Sequence, residues 1–295
     1  GKLKPADCKT FNKNRPPGQF SQGKDVSAMT SYNKKSIEDI KKAGKLVVYT
    51  EAGFAPYEFI YNNEIVGVDI EIMKAVAAKI GVELEINDVN FDTICTSVKS
   101  GKADVGAAGI TINDTRKKTV DFSNPYSSTE QYIVVAAGND TIKNISDLKG
   151  KNIGVQEGTT SDLLIEKLIN DGTLAGSTLT PYKAPAVAAA SIGKIDAVVT
   201  DKLTAQIIEA NNSGKYVAFK LVNADGSDVA EVEEYGIAVS KGSTELLEVI
   251  NEVIKELTEN GSIEKWTQEF TDLANSISEE DTSAGTDGES SSAEN

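Results

Sequence analysis

Short apolar runs alternate with stretches of helical periodicity over most of the chain, and that alternation restricts it to parallel strands joined by helical crossovers. A short helix over residues 36 to 43 leads into a strand at 46 to 50. Gly53 and Pro56 then force a loop carrying Glu51, Phe54 and Tyr57. In residues 68 to 80 the side chains Ile70, Met73, Ala77 and Ile80 fall on one helical face, with Gly81 just past the end as a stop. A strand at 82 to 86, a helix at 92 to 100 closed by Gly101, and a strand at 103 to 108 complete the first series. After Tyr126 the pattern starts again: strands at 131 to 137, 152 to 155 and 196 to 200, and helices at 161 to 170, 185 to 192 and 204 to 211. A strand at 235 to 239 and helices at 244 to 260 and 263 to 270 follow. The chain therefore reads as two lobes.

Parallel sheets of this kind bind ligands beyond the carboxyl ends of their strands, where Glu51, Phe91 and the residues from Gly109 to Thr111 are expected. The run GAAGITINDTRKK at 106 to 118 is the most suggestive. Ala107, Ala108 and Gly109 carry too little side chain to keep a small molecule from the backbone. Thr111 adds a hydroxyl, and Arg116 a planar fork of donors that matches a carboxylate. The competing reading is a surface arginine beside Lys117 and Lys118. In QEGTTSD at 156 to 162 a glycine and hydroxyl turn runs into a helix, so the amides of Thr159 and Thr160 either face an anion or belong to an ordinary cap. Asp201, just past a strand, either accepts from an ammonium or caps the next helix.

Composition removes several function classes. The net charge of −15 leaves no basic face for nucleic acid or for anionic membranes. Residues 1 to 35 carry +6 and residues 276 to 295 carry −6, so the tails cancel and the whole −15 sits on the body. The acidic tail SEEDTSAGTDGESSSAEN has almost no apolar residue and reads as disordered; the N-terminal stretch with NKNRPPGQFSQG reads as a flexible tether. No apolar run is long enough to cross a membrane, and a start without the basic-then-apolar pattern reads as one from which an export signal has been removed. There is no histidine, and Cys8 and Cys95 cannot make a zinc site, so neither a metal nor a cofactor is expected. A disulfide between them is the less favoured of the two readings, and Cys8 stays unassigned because PAD before it lacks the leucine of a lipidation site.

Several segments, in order, resemble one family. GFAPYEF at 53 to 59, VGVDIEIMKAVAAKIG at 66 to 81, FDTI at 91 to 94, the run at 106 to 118 and VDFSNPY at 120 to 126 come first. DLKGKNIGVQEGTTS at 147 to 161, GKIDAVVTD at 193 to 201 and EYGIAVSKGSTELL at 234 to 247 follow. Over residues 37 to 275 these are similar to the polar amino-acid-binding solute receptors of ABC importers. The resemblance implies a two-lobed α/β periplasmic-binding-protein-like fold of type II, with two mixed, mostly parallel sheets flanked by helices and joined by two hinge strands. Lobe 1 would take residues 36 to 125 and 236 to 275, and lobe 2 residues 126 to 235, with crossings at 126 to 130 and 231 to 235. Residues 1 to 35 would tether a monomeric extracytoplasmic lipoprotein that hands a free L-amino acid to an ABC transporter permease.

By the same resemblance, Arg116 and Thr160 hold the ligand's α-carboxylate, and Asp201, the Gly109 carbonyl and Thr111 hold its α-ammonium. Phe54 and Phe91 form aromatic walls, while Gln156 and Thr200 approach the ligand side chain at positions where the family often carries other residues. Glu51 is expected at the side-chain end, where a carboxylate repels acidic ligands and favours Arg, Lys or Gln, with cystine a further candidate. The alternative for Glu51 is an exposed loop residue. A dehydratase-like enzyme on the same fold, with Glu51 as its base, and the sensing domain of a signalling system are the competing functions.

Overall fold

The alternation of the sequence becomes two separate sheets in the computed structural model, which describes residues 34 to 277. The expectations for Cys8, for nearly all of the tether and for the acidic tail lie outside the described residues. In chain order the elements begin α1 (Ile37–Ala43), β1 (Lys45–Thr50), β2 (Gly53–Phe54), β3 (Glu58–Tyr61), β4 (Glu64–Val66), α2 (Val68–Ile80), β5 (Glu83–Asp88) and α3 (Ile94–Ser100). Next come β6 (Val105–Thr111), α4 (Asp114–Lys117), β7 (Val120–Phe122), β8 (Ser127–Thr129), β9 (Gln131–Ala136), β10 (Asn152–Gln156) and α5 (Thr160–Asn170). The remainder are β11 (Thr178–Tyr182), α6 (Pro185–Ala190), β12 (Ala197–Asp201), α7 (Lys202–Asn211), β13 (Tyr216–Lys220), β14 (Glu233–Ser240), α8 (Thr244–Glu259) and α9 (Ser262–Asn275).

The first sheet has the order β5-β1-β6-β14-β7, with β8 also pairing β14; the second has β11-β10-β12-β9-β13. In each, the strands with helical crossovers pair in parallel, β1 with β5 and β6, and β10 with β11 and β12. The antiparallel strands enter where the chain changes sheet, β9 just after it leaves the first and β14 as it returns. The two passages run side by side, Thr129 opposite Glu233 and Ser127 opposite Tyr235. The first sheet packs on α2 and on α8, whose Leu246, Ile250, Val253 and Ile254 form one buried face. The α3 side chains Ile94, Cys95 and Val98 pack with Phe91, Ala108 and Ile110 in a separate cluster. Among the described residues, no helix is long and apolar enough to cross a membrane.

The loop expected at Gly53 is instead the start of a small antiparallel sheet, β2-β3-β4. Strands β7, β11 and β13 also went unread, β7 having only 3 residues and β11 being interrupted by Pro181, while β8 falls on the crossing expected at 126 to 130. That proline is tolerated because β11 is an edge strand. β6 runs on to Thr111, so the residues expected beyond its end lie within it.

β6 is irregular just where it approaches the site. Gly106 stands opposite Ala238 and Ile110 opposite Gly236, so Ala107, Ala108 and Gly109 together face Ile237 alone. Gly109 takes up the excess length at φ 55°, and its amide, turned out of the ladder, donates to the fully buried Asp69 carboxylate at 2.8 Å. A Cβ there would come within 2.9 Å of the Phe54 ring. Gly109→Ala is therefore expected to cost about 1 to 3 kcal/mol of stability in a urea titration. A loss below about 0.5 kcal/mol, the range of an ordinary surface substitution, would show that this backbone is not held.

Candidate functional site

Arg116 is brought under the end of β6 by a single tight turn. The Asn113 side chain accepts from the Arg116 amide at 2.8 Å and starts α4, which folds the side chain back so that Nη1 donates to the Thr111 carbonyl at 2.7 Å. Arg116 is 1% exposed, unlike its exposed neighbours Lys117 and Lys118, which removes the reading of a surface arginine. The Phe91 ring lies 5.6 Å from its guanidinium carbon, so Phe91 contacts this cation as well as the core. The Thr111 hydroxyl is buried and has no hydrogen-bond partner among the described residues. A buried guanidinium beside an unused hydroxyl suits an anionic or strongly polar group.

From the second sheet comes Asp201, 2% exposed at the end of β12. It stands at the cap position of α7 but makes no capping bond; its carboxylate accepts from the Tyr235 phenol instead. Burial, then the Asp201 charge, push the Tyr235 phenol well above its usual value, so it stays a donor. Tyr235 lies opposite Thr111 in the ladder, which places Asp201 across from the Arg116 and Thr111 pair. Tyr57 packs edge-on against Tyr235 at 4.9 Å between centroids, and Phe54 stacks on Tyr57 at 5.9 Å. Thr200, 4% exposed, precedes Asp201 on the same strand.

Glu51 is also buried, at 2%, so the exposed-loop reading does not hold. One of its oxygens accepts from the Gly53 amide at 3.0 Å and the other from Gln156 Nε2 at 2.6 Å, a direct contact between the first-sheet loop and β10. The same Nε2 donates to the Lys183 carbonyl at 2.8 Å, and these two acceptors fix the amide's orientation. Gln156 Oε1 is left buried with no partner among the described residues.

The start of α5 differs from expectation. Thr159 is spent on the cap: its hydroxyl accepts from Asp162 N at 3.1 Å and donates to the Gln156 carbonyl at 2.8 Å, and its amide bonds the same carbonyl at 3.3 Å. Its amide therefore does not face an anion, because the turn after β10 uses it. Thr160 accepts from Gln131 Nε2 at 3.1 Å and donates to Glu233 Oε2 at 3.1 Å. Gln131 and Glu233 went unnoticed in the sequence; Gln131 opens β9 just past the first passage, Glu233 lies on the returning one, and neither belongs to a motif. Ala108 is core, its methyl packed with Phe91, Ile94 and Val98, so only its backbone can reach a ligand.

Glu51, Phe54, Gly109, Thr111 and Arg116 thus converge from the first sheet and its loops toward Gln156, Thr160 and Asp201 of the second. Contacts that cross between the two sides include Tyr235 to Asp201, Glu51 to Gln156, Thr160 to Glu233, and Thr204 Oγ1 to the Ala55 carbonyl at 3.0 Å. A cavity of ≈ 1070 Å³ opens beside the paired passages; Thr111, Thr160 and Glu233 line it together with Lys117, Asp121, Lys167 and Lys241, whereas Arg116, Glu51 and Asp201 do not. No cluster of acids and cysteines that could hold a metal ion occurs among the described residues.

Two sheets joined by paired passages, with charged side chains meeting between them, define a two-lobed solute receptor of the type II binding-protein fold. The chain belongs to the bacterial extracellular solute-binding proteins, family 3, whose model matches residues 46–272. It is 34% identical over 227 residues to the arginine-binding extracellular protein ArtP of Bacillus subtilis (strain 168), covering 75% of this chain and 84% of that one. The L-cystine-binding protein TcyJ of Escherichia coli (strain K12) is 29% identical over 237 residues, 78% of this chain and 85% of TcyJ. The crystal structure of AbpA from Streptococcus pneumoniae bound to L-arginine, an amino acid ABC transporter substrate-binding protein, superposes with a TM-score of 0.73 at 32% identity, over 81% of this chain and 100% of that one.

Because the Asp201 carboxylate is buried, Tyr235→Phe should cost about 1 to 3 kcal/mol of unfolding free energy by removing a donor from it. A denaturant titration that places the variant within about 0.3 kcal/mol of the parent would show that the contact carries no energy.

Proposed function

We propose that the protein is an extracytoplasmic receptor that closes two lobes on a basic L-amino acid, arginine first, and delivers it to an ABC transporter permease. The observation that carries this reading is the buried charge assigned to the site: two carboxylates, Glu51 and Asp201, against one guanidinium, Arg116, the other buried acids being Asp69 and Asp104, which accept from backbone amides of Gly109 and Val47, and Glu58. A basic amino acid is the mirror image, with two cations and one carboxylate. Buried charges are tolerable when paired, so the match decides in favour of that ligand class over acidic ones.

In this reading Arg116 and the Thr160 amide at the start of α5 hold the carboxylate. Asp201, the Gly109 carbonyl and the Thr111 hydroxyl hold the ammonium. Glu51 and Gln156 Oε1 take the donors of the ligand side chain between Phe54 and Phe91, with Thr200 nearby. ArtP and AbpA, which carry arginine in their names or structures, support the choice; TcyJ keeps cystine in the comparison, and lysine and glutamine fit the same donor pattern. Lobe 1 is residues 36 to 125 with 236 to 275 and lobe 2 is residues 126 to 235, so a ligand touching both would draw them together about the passages. The protein acts as a monomer tethered through its N-terminal stretch. A receptor is favoured over an enzyme because the matching family and the relatives named above are solute-binding proteins.

Calorimetric titration with the twenty amino acids tests the reading. Arginine should bind with a stoichiometry of one and no turnover. Arg116→Ala should weaken it by more than a hundredfold, about 2.7 kcal/mol, and Glu51→Gln by more than tenfold, about 1.4 kcal/mol. Preference for glutamate or aspartate would sink the assignment of Glu51, and release of a product would favour the enzyme.

A further inference from the structure

The polar chain at the start of α5 has only one consistent direction for its protons. Ser161 Oγ donates to Gln131 Oε1 at 2.6 Å, which turns the Gln131 amide nitrogen outward. That nitrogen donates one hydrogen to Thr160 Oγ1 at 3.1 Å and the other to Glu233 Oε2 at 3.2 Å. Thr160 Oγ1 then donates its single proton to the same Glu233 oxygen at 3.1 Å. Every proton runs toward one carboxylate, which sits on the returning passage opposite Thr129 and borders the same cavity as Thr111 and Thr160.

We propose that Glu233 sets the affinity of the anion seat from outside it. It takes the Thr160 hydroxyl proton away from a bound carboxylate and places a second negative charge beside that carboxylate. The proposal rests on the assignment of the ligand carboxylate to Arg116 and Thr160. With the hydroxyl committed, a ligand carboxylate at Thr160 is left with the α5 amide and Arg116, and it feels the Glu233 charge across a hydroxyl's width. Glu233 is half-buried, so solvent softens the repulsion without removing it. The consequence for a receptor that must also release its cargo is an affinity held below what Arg116 alone would give. Glu233 also ties the passage to α5 through Thr160 and Gln131, so the same residue connects the seat to the ribbon about which the lobes would move.

The test is a double-mutant cycle on the full chain, with L-arginine titrated calorimetrically into the parent, Glu233→Ala, Thr160→Val and the double variant, each checked for a parental circular dichroism spectrum. Glu233→Ala should bind at least fivefold tighter. Thr160→Val should cost at least fivefold more in the Glu233→Ala background than in the parent, because only there is the hydroxyl proton available to the ligand. Glu233→Gln, which removes the charge and keeps an acceptor for Thr160, should recover part of the gain. Equal or weaker binding by Glu233→Ala, or an equal cost of Thr160→Val in both backgrounds, would overturn the proposal. If Arg116→Ala proves to bind as well as the parent, the seat itself is misplaced and the proposal falls with it. A failure confined to the Glu233 variants leaves the seat standing.

Discussion

The hydrogen bond from Tyr235 to the Asp201 carboxylate joins the two halves of the molecule, and much of the site depends on it. Tyr235 belongs to the first sheet, paired with Thr111 across the ladder, while Asp201 ends a strand of the second. The Tyr235 ring is also the surface on which Tyr57 rests, and Tyr57 supports Phe54. One phenol therefore fixes a carboxylate at one end and an aromatic wall at the other. Away from the site, Phe59, Ile207 and Ala274 make an apolar contact between β3, α7 and α9 that joins the same two halves without any charge.

Charge is managed around this point by keeping phenols neutral. Burial is the main cause that lifts Tyr57, Tyr126 and Tyr235, and nearby carboxylates add to it, Asp201 for Tyr57 and Tyr235, Asp69 and Glu58 for Tyr126. Tyr235 accordingly serves as a fixed donor to Asp201, and Tyr57 shares a hydrogen bond with Ser127 at 3.0 Å. Asp69 spends its charge on the Gly109 amide. That division matters for the proposed function, because it separates an acid spent on the backbone from Glu51 and Asp201, to which the proposal assigns a ligand's cations.

Much of the fold was legible because the elements that carry it are periodic: α2, α8 and the apolar strands of the parallel halves each show their spacing in the residues themselves. The short strands β7 and β8 carry no such signal, since a pair of three-residue segments is held by pairing with β14 rather than by its own pattern. At the candidate site the residues alone left Arg116 open to a surface reading and Asp201 to a helix cap, and their burial is what the structure adds; it was the family resemblance that brought them to notice. Gln131 and Glu233 escaped notice, because a glutamine at the start of a strand and a glutamate in an acidic run look like any solvated polar residue; only the hydrogen-bond chain through Thr160 distinguishes them. Thr159 shows the converse error, since a threonine before a helix serves equally as a cap or as an anion donor, and the turn after β10 decides for the cap.

The account stands on one ligand being held from both sheets at once, so its most direct test is a change of shape. Small-angle X-ray scattering of the full chain should show a smaller radius of gyration with saturating L-arginine than without it. The Arg116→Ala variant should keep the ligand-free value at the same arginine concentration. Identical dimensions with and without arginine, in a sample that calorimetry shows to be saturated, would contradict a site completed by closure.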